Sequence, residues 1–217
     1  DQDRWGVRSQ NRAEEAINSG FFAREISPVT LPDGTVVSTD DGPRAGTVYE
    51  KISALNPVFR PNGTVTAGNA CPLNDGAAAV VIMSDTKAKA LGLTPLARIV
   101  ATGVSGLSPE IMGLGPIEAV KNALGYAKMS VSDIDLFEIN EAFAVQVLGS
   151  ARALGIDEDK LNVSGGAIAL GHPFGMTGAR ITATLLNNLA THDKTFGVET
   201  MCVGGGQGMA MVVERLS

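Results

Sequence analysis

The feature that most limits the fold is an alternation of two periodicities from about residue 96 to the end of the 217-residue chain. Arg98–Thr102 is a short β-prone run. Pro116 stands where the first residue of a helix belongs, and Ile117, Val120 and Leu124 follow at i, i+3 and i+7 of one face. Asp135–Ile139 reads as a strand. A helix expected from Glu141 carries the stripe Phe143, Val147, Ala151 and Leu154 and is closed by Gly155. Leu161–Val163 is a short strand, Ile181, Leu185 and Leu189 stripe the next helix, and Val198–Val203 and Met209–Val213 flank the glycine-rich turn Gly204–Gly208. The order β-α-β-α-β-α-β-β predicts an α/β fold: a mostly parallel, helix-covered sheet whose last hairpin adds an antiparallel edge.

The upstream part has a different texture. Residues 2–19 carry Trp5, Ala13, Ala16 and Ile17 among charges, a helical pattern stopped by Asn18-Ser19-Gly20. From Ile26 to Gly68, short β-prone pieces alternate with turn signals such as Pro32-Asp33-Gly34 and Pro61-Asn62-Gly63, which predicts a loop-rich excursion with hairpins. The apolar run AAAVVIM after Gly76 predicts a strand buried on both faces, with a helix through Leu91.

Composition excludes several function classes. A net charge of −6 with no Lys/Arg run gives no surface for tracking phosphates, so nucleic acid is not an expected partner. No apolar run approaches the roughly 20 residues that span a bilayer. Cys71 and Cys202 lack the spacing of a metal site or a disulfide framework, so no metal is expected and a reducing, cytoplasmic setting is. The opening at Asp1, inside a helical pattern, suggests a processed product or a fragment.

Three polar residues fall at predicted strand ends, where ligands gather in open α/β sheets. Asn140 follows Ile139, His172 lies in the segment GGAIALGHPFGMTGAR (165–180), and Cys202 precedes three glycines. Each has a plainer reading. Asn140 suits a helix cap, Cys202 a small buried apolar residue, and a lone histidine a surface or hydrogen-bonded core position. Five glycines around His172 favour close approach of a ligand, and backbone N–H groups beside Cys202 suit an oxyanion hole. His192 reads as solvent exposed. Neither glycine pattern has the spacing of a dinucleotide-binding or phosphate loop.

Asn140–Ala144 (NEAFA), Gly165–Pro173 with Gly175, Gly178 and Arg180, and Cys202–Gly208 (CVGGGQG) resemble the three C-terminal signature blocks of the thiolase family, the acyl-CoA acetyltransferases. Arg8–Arg12, Val65–Asn69 and Asn74–Ala79 also look like family segments. The resemblance implies a thiolase-like fold, with residues 1–74 in the coenzyme A-binding loop domain, 75–95 as the final strand and helix of the N-terminal domain, and 96–217 as the C-terminal domain. It implies thiolytic cleavage or Claisen condensation of 3-ketoacyl-CoA, with coenzyme A and acyl-CoA as substrates, no covalently bound cofactor, and a homodimer or homotetramer.

By the same resemblance His172 is the base that activates a nucleophile and one donor of an oxyanion hole, Asn140 holds the water that completes that hole, Cys202 is the second acid/base, and the Gly204 N–H serves a second hole. Arg44, Phe59 and Ala67 match coenzyme A contacts, and Ala142 and Phe143 line the acyl side. Cys71, with Pro72 beside it, stands where many family members carry a serine, and there the chain looks more like thiolases that degrade bulky, steroid-derived chains. No cysteine here matches the family's nucleophile, so the isolated chain is expected to be inactive. Two other readings are a non-catalytic coenzyme A-binding or assembly module paired with a separate N-terminal chain, and, ranked last, ketoacyl synthase chemistry, which needs two active-site histidines.

Overall fold

A computed structural model describes all residues from Asp1 to Ser217. Helix α1 (Gln2–Asn18) opens the chain, and the excursion holds a two-stranded hairpin, β1 (Val29–Thr30) with β2 (Val36–Val37), and a single helical turn, α2 (Tyr49–Ile52). After α3 (Asp85–Ala90) comes the body: β3 (Ala97–Gly106), α4 (Gly115–Ala127), β4 (Leu136–Ile139), α5 (Ala144–Leu154), the short α6 (Ala167–Leu170), α7 (Thr177–Thr191), β5 (Phe196–Val203) and β6 (Gln207–Arg215).

The sheet order is β3-β6-β5-β4. The alternation of elements holds, but the expected edge hairpin does not. β6 is antiparallel to both β5 and β3, so it fills the sheet interior. Strand β3 returns to cover its outer side, because nine consecutive residues of β6 leave a full row of N–H and C=O groups for a second neighbour. Leu161–Val163 shrinks to a bridge from Leu161 to Phe137 beside β4.

Alternation along the strands sorts side chains into two layers. Phe137, Ile139, Val198, Ala210 and Val212 meet Val120, Leu124, Val147 and Leu148 of α4 and α5 in the main core, which also holds Trp5 of α1. Leu136 and Val213 meet Leu185 and Leu189 of α7 on the opposite face. α4 lies so close to β3 that a Cβ on Gly103 would sit 2.3 Å from the Ala119 carbonyl oxygen. That contact is why a strand interior tolerates glycine there.

One predicted element is missing. Gly76–Met83 forms no strand, and Val81 and Ile82 are 85% and 71% exposed. An apolar run becomes a strand only when another strand accepts its backbone, and none in this chain lies alongside it. The helix expected after it does form, capped where the Ser84 hydroxyl accepts from the Lys87 N–H at 3.2 Å. No helix is long and apolar enough to cross a membrane.

Candidate active site

Strands β4 and β5 run parallel, with Ile139 opposite Thr200, so Asn140 and Cys202 both fall at the carboxyl end of the sheet. The Asn140 N–H donates to the Thr200 carbonyl at 2.9 Å, extending the ladder by one residue. Asn140 caps nothing. The predicted helix starts at Ala144 rather than Glu141, and its first flanking residue is Phe143 without a side-chain cap. The freed amide reaches His172, with Nδ2 3.2 Å from Nε2, while its Oδ1 is buried with no protein partner.

The His172 ring is oriented by Thr177, a residue that sequence reasoning missed. Thr177 Oγ1 lies 2.6 Å from Nδ1 and gives its one proton to the Pro173 carbonyl at 2.9 Å. Nδ1 must therefore carry the hydrogen, and Nε2 keeps the lone pair that faces Asn140. Burial, and then the Arg180 cation, lower the imidazole's pKa, which favours a neutral base. Burial raises the Cys202 thiol, so it keeps its proton until a strong base approaches. Cys202 makes no side-chain hydrogen bond; it pairs in register with Gly208 beyond a turn in which nothing approaches the Cβ position of Gly204 within 4 Å.

The glycines around His172 do something other than expected. A Cβ on Gly165 would strike the Ser9 carbonyl oxygen, one on Gly166 the Glu141 carboxylate, and one on Gly171 the Asn74 amide, all under 3 Å. Three of the five thus seat protein groups, and only Gly175 borders open space within 4 Å. Asn74 also accepts from the His172 N–H at 3.1 Å. Leu73–Gly76 and His172–Gly175 together wall a cleft of about 650 Å³.

The other candidates form two adjoining groups. The Cys71 N–H donates to the Ala142 carbonyl at 3.1 Å, Ala70 bridges Phe143, and the Phe143 ring meets Phe59 edge to face at 5.8 Å. Burial raises the Cys71 thiol as well. Arg44 and Ala67 line a separate cavity of about 180 Å³ with Gln10, Pro72 and Ile168. The Arg44 N–H donates to Gln10 Oε1 at 2.8 Å. His192 is exposed, as expected.

Beneath the site lies a polar layer that the sequence pattern concealed. Glu138 and Glu199 are cross-strand partners on β4 and β5, 1% and 9% exposed, and both face α7. Burial pushes each carboxyl up to about 8, against the pull of Arg180. Glu138 accepts one hydrogen bond, from Asn188 at 3.4 Å, while Glu199 Oε2 and all three guanidinium nitrogens of Arg180 have none. No group of three or more His, Cys, Asp or Glu side chains is arranged to hold a metal ion.

Residues 93–215 match the family description "Thiolase, C-terminal domain" and residues 1–86 match "Thiolase, N-terminal domain". The chain is 52% identical over its whole length to an acetyl-CoA acetyltransferase of Escherichia coli, covering 56% of that protein, and 47% identical to a 3-ketoacyl-CoA thiolase of Bacillus subtilis, covering 58% of it. It superposes on the crystal structure of Bacillus anthracis acetyl-CoA acetyltransferase with a TM-score of 0.96 at 47% identity, over 99% of this chain and 55% of that one. For human mitochondrial 3-ketoacyl-CoA thiolase in complex with CoA the TM-score is 0.92 at 43% identity, over 99% and 54%. The chain thus spans little more than half the length of these relatives.

Proposed function

The chain belongs to the thiolase family, and from that premise we infer that it supplies the base, the amide and the second acid of an acyl-CoA C-acetyltransferase site. The observation that carries this reading is the contact of Asn140 Nδ2 with an oriented His172 Nε2, beside the strand end that holds Cys202. The reaction is thiolytic cleavage of a 3-ketoacyl-CoA, or the reverse Claisen condensation. In cleavage a nucleophilic thiolate adds to the C3 carbonyl, the C2–C3 bond breaks, and the electron pair left on C2 takes a proton.

His172 has a free Nε2 lone pair, and its lowered pKa keeps the ring neutral and so available to take the nucleophile's proton. Cys202, whose thiol holds its proton, delivers one to C2 and takes one back from the incoming coenzyme A. Developing oxyanions are met by His172 Nε2–H once it is protonated, by a water on the free Asn140 Oδ1, and by the Gly204 N–H; each such donor contributes roughly 2.7–4 kcal/mol. Arg44 and Ala67 hold coenzyme A, while Phe59, Cys71, Ala142 and Phe143 border the acyl side. The complete enzyme is a soluble, cytoplasmic homodimer or homotetramer.

No cysteine of this chain occupies the nucleophile's place in the reading, so acetoacetyl-CoA thiolysis by the chain alone is expected to be absent. Titration calorimetry should still detect coenzyme A binding that Arg44→Ala weakens. Turnover by the isolated chain would overturn the assignment of the nucleophile, and absence of any coenzyme A binding would overturn the site reading. In a longer protein containing this chain, His172→Ala is expected to lower kcat by at least about 100-fold; an unchanged kcat removes His172 from the mechanism.

A further inference from the structure

We propose that Glu141 is the positioning residue of the Asn140–His172 pair: its carboxylate locks the end of β4, helix α1 and the His172-bearing segment into one register, and so sets the distance between amide and imidazole. The proposal rests on the reading of that pair as the site's core. Glu141 is 1% exposed, and its two oxygens accept four hydrogen bonds. Oε1 accepts from Trp5 Nε1 at 2.9 Å and from Asn162 Nδ2 at 3.0 Å. Oε2 accepts from Ser9 Oγ at 2.6 Å and from the Ile168 N–H at 3.1 Å. The Ser9 hydroxyl in turn accepts from the Gly166 N–H at 3.1 Å, so every proton in the set has one direction.

These donors come from both arms of the pair. Glu141 follows Asn140 directly, and Asn162 clamps the residue before it, accepting from the Ile139 N–H and donating to the Ile139 carbonyl, each at 2.9 Å. Ile168 lies in α6, which leads through Gly171 into His172. The carboxylate therefore bridges one arm to the other behind the Asn140–His172 contact, and the bare Cα of Gly166 is what lets it sit there. A glutamine of the same shape cannot replace it. An NH2 group at Oε1 faces the Trp5 and Asn162 N–H donors and loses both hydrogen bonds, and one at Oε2 loses that of Ile168 and forces the Ser9 hydroxyl to turn its proton away.

The chain has two histidines, so imidazole NMR of the chain itself reads His172, with exposed His192 as an internal control. In the wild type the Asn140 side-chain Nδ2–H donates to neutral Nε2 and favours the neutral ring, and the charged group acting on the ring is Arg180 from α7. Glu141→Gln removes a negative charge, which by itself can only lower the His172 midpoint. Loss of the Asn140 donor raises it. The expected result is an upward shift of roughly 0.5 pH unit or more at His172, with His192 unmoved and no shift in Leu189→Ala, a core variant destabilised without touching the site. A midpoint that stays or falls in Glu141→Gln overturns the proposal. Should that variant not fold, Ser9→Ala, which removes one of the four donors, decides in its place: a smaller rise supports the proposal, and none overturns it. The measurement uses no coenzyme A, so it can fail while coenzyme A binding succeeds, or the reverse.

Discussion

Two buried carboxylate sites lie within a few residues of each other, and they are built on opposite terms. Glu141 meets four donors from three segments of chain: Trp5 and Ser9 of α1, Asn162, and Ile168 of α6. Glu138 and Glu199 share one hydrogen bond of 3.4 Å and an arginine whose nitrogens form none. The first arrangement stabilises one geometry, because moving any of the segments strands a buried donor. The second leaves charge uncompensated, so its carboxyls hold protons to about pH 8 and their contribution to stability changes with pH. Burial alone therefore says nothing about what a carboxylate does; the count of donors aimed at it does.

The sharpest way to break this contrast is Glu141→Leu, which strands four buried donors. It is expected to cost more than about 3 kcal/mol in urea unfolding, and a loss below about 1 kcal/mol would show that the four contacts are interchangeable with water. Next comes Gly166→Ala, whose methyl would stand 2.2 Å from the Glu141 carboxyl carbon. A loss of roughly 2 kcal/mol is expected, and a neutral outcome would mean that the carboxylate has room to retreat. The smallest effect is expected from Glu199→Gln and carries a sign. Between the unfolded value near 4.5 and the folded value of about 8, the native state binds more protons than the unfolded chain, so stability falls as pH rises through that window. The variant is expected to match the wild type near pH 4.5 and to exceed it by a margin that grows as pH rises toward 8. Equal pH slopes for the two proteins would show that Glu199 does not hold a proton through that window.

What the sequence makes legible follows the range of the interactions involved. The stripe Ile117, Val120, Leu124 and the Pro116 start are local, and α4 is found where they put it. Asn140 and Cys202 are legible because a strand's end is a local event and β4 and β5 run parallel, whereas His172 rests on α6 and Gly171, the strand expected before it having shrunk to a bridge. Gly76–Met83 misleads because an apolar run describes a side-chain environment, whereas a strand also needs a neighbour. The interior position of β6 is hidden for the same reason, since pairing with β3 spans more than 100 residues. Glu141 is concealed most deeply. Trp5 and Ser9 lie 136 and 132 residues away along the chain, and only its place within a fully buried stretch sets it apart. Thr177 was within reach, five residues from His172 and in the first turn of α7.

The place of β6 bears on how the molecule assembles. β3 is the earliest strand of the body to be synthesised, yet its one neighbour is the latest, so no ribosome-bound intermediate can zip the sheet in order. β4 and β5 can meet without it, whereas β3 waits with an unsatisfied border until β6 is made and slides between. Removing the nine residues of β6 would cut the sheet in two rather than shorten it, leaving α4 fastened to a strand that has lost its only partner.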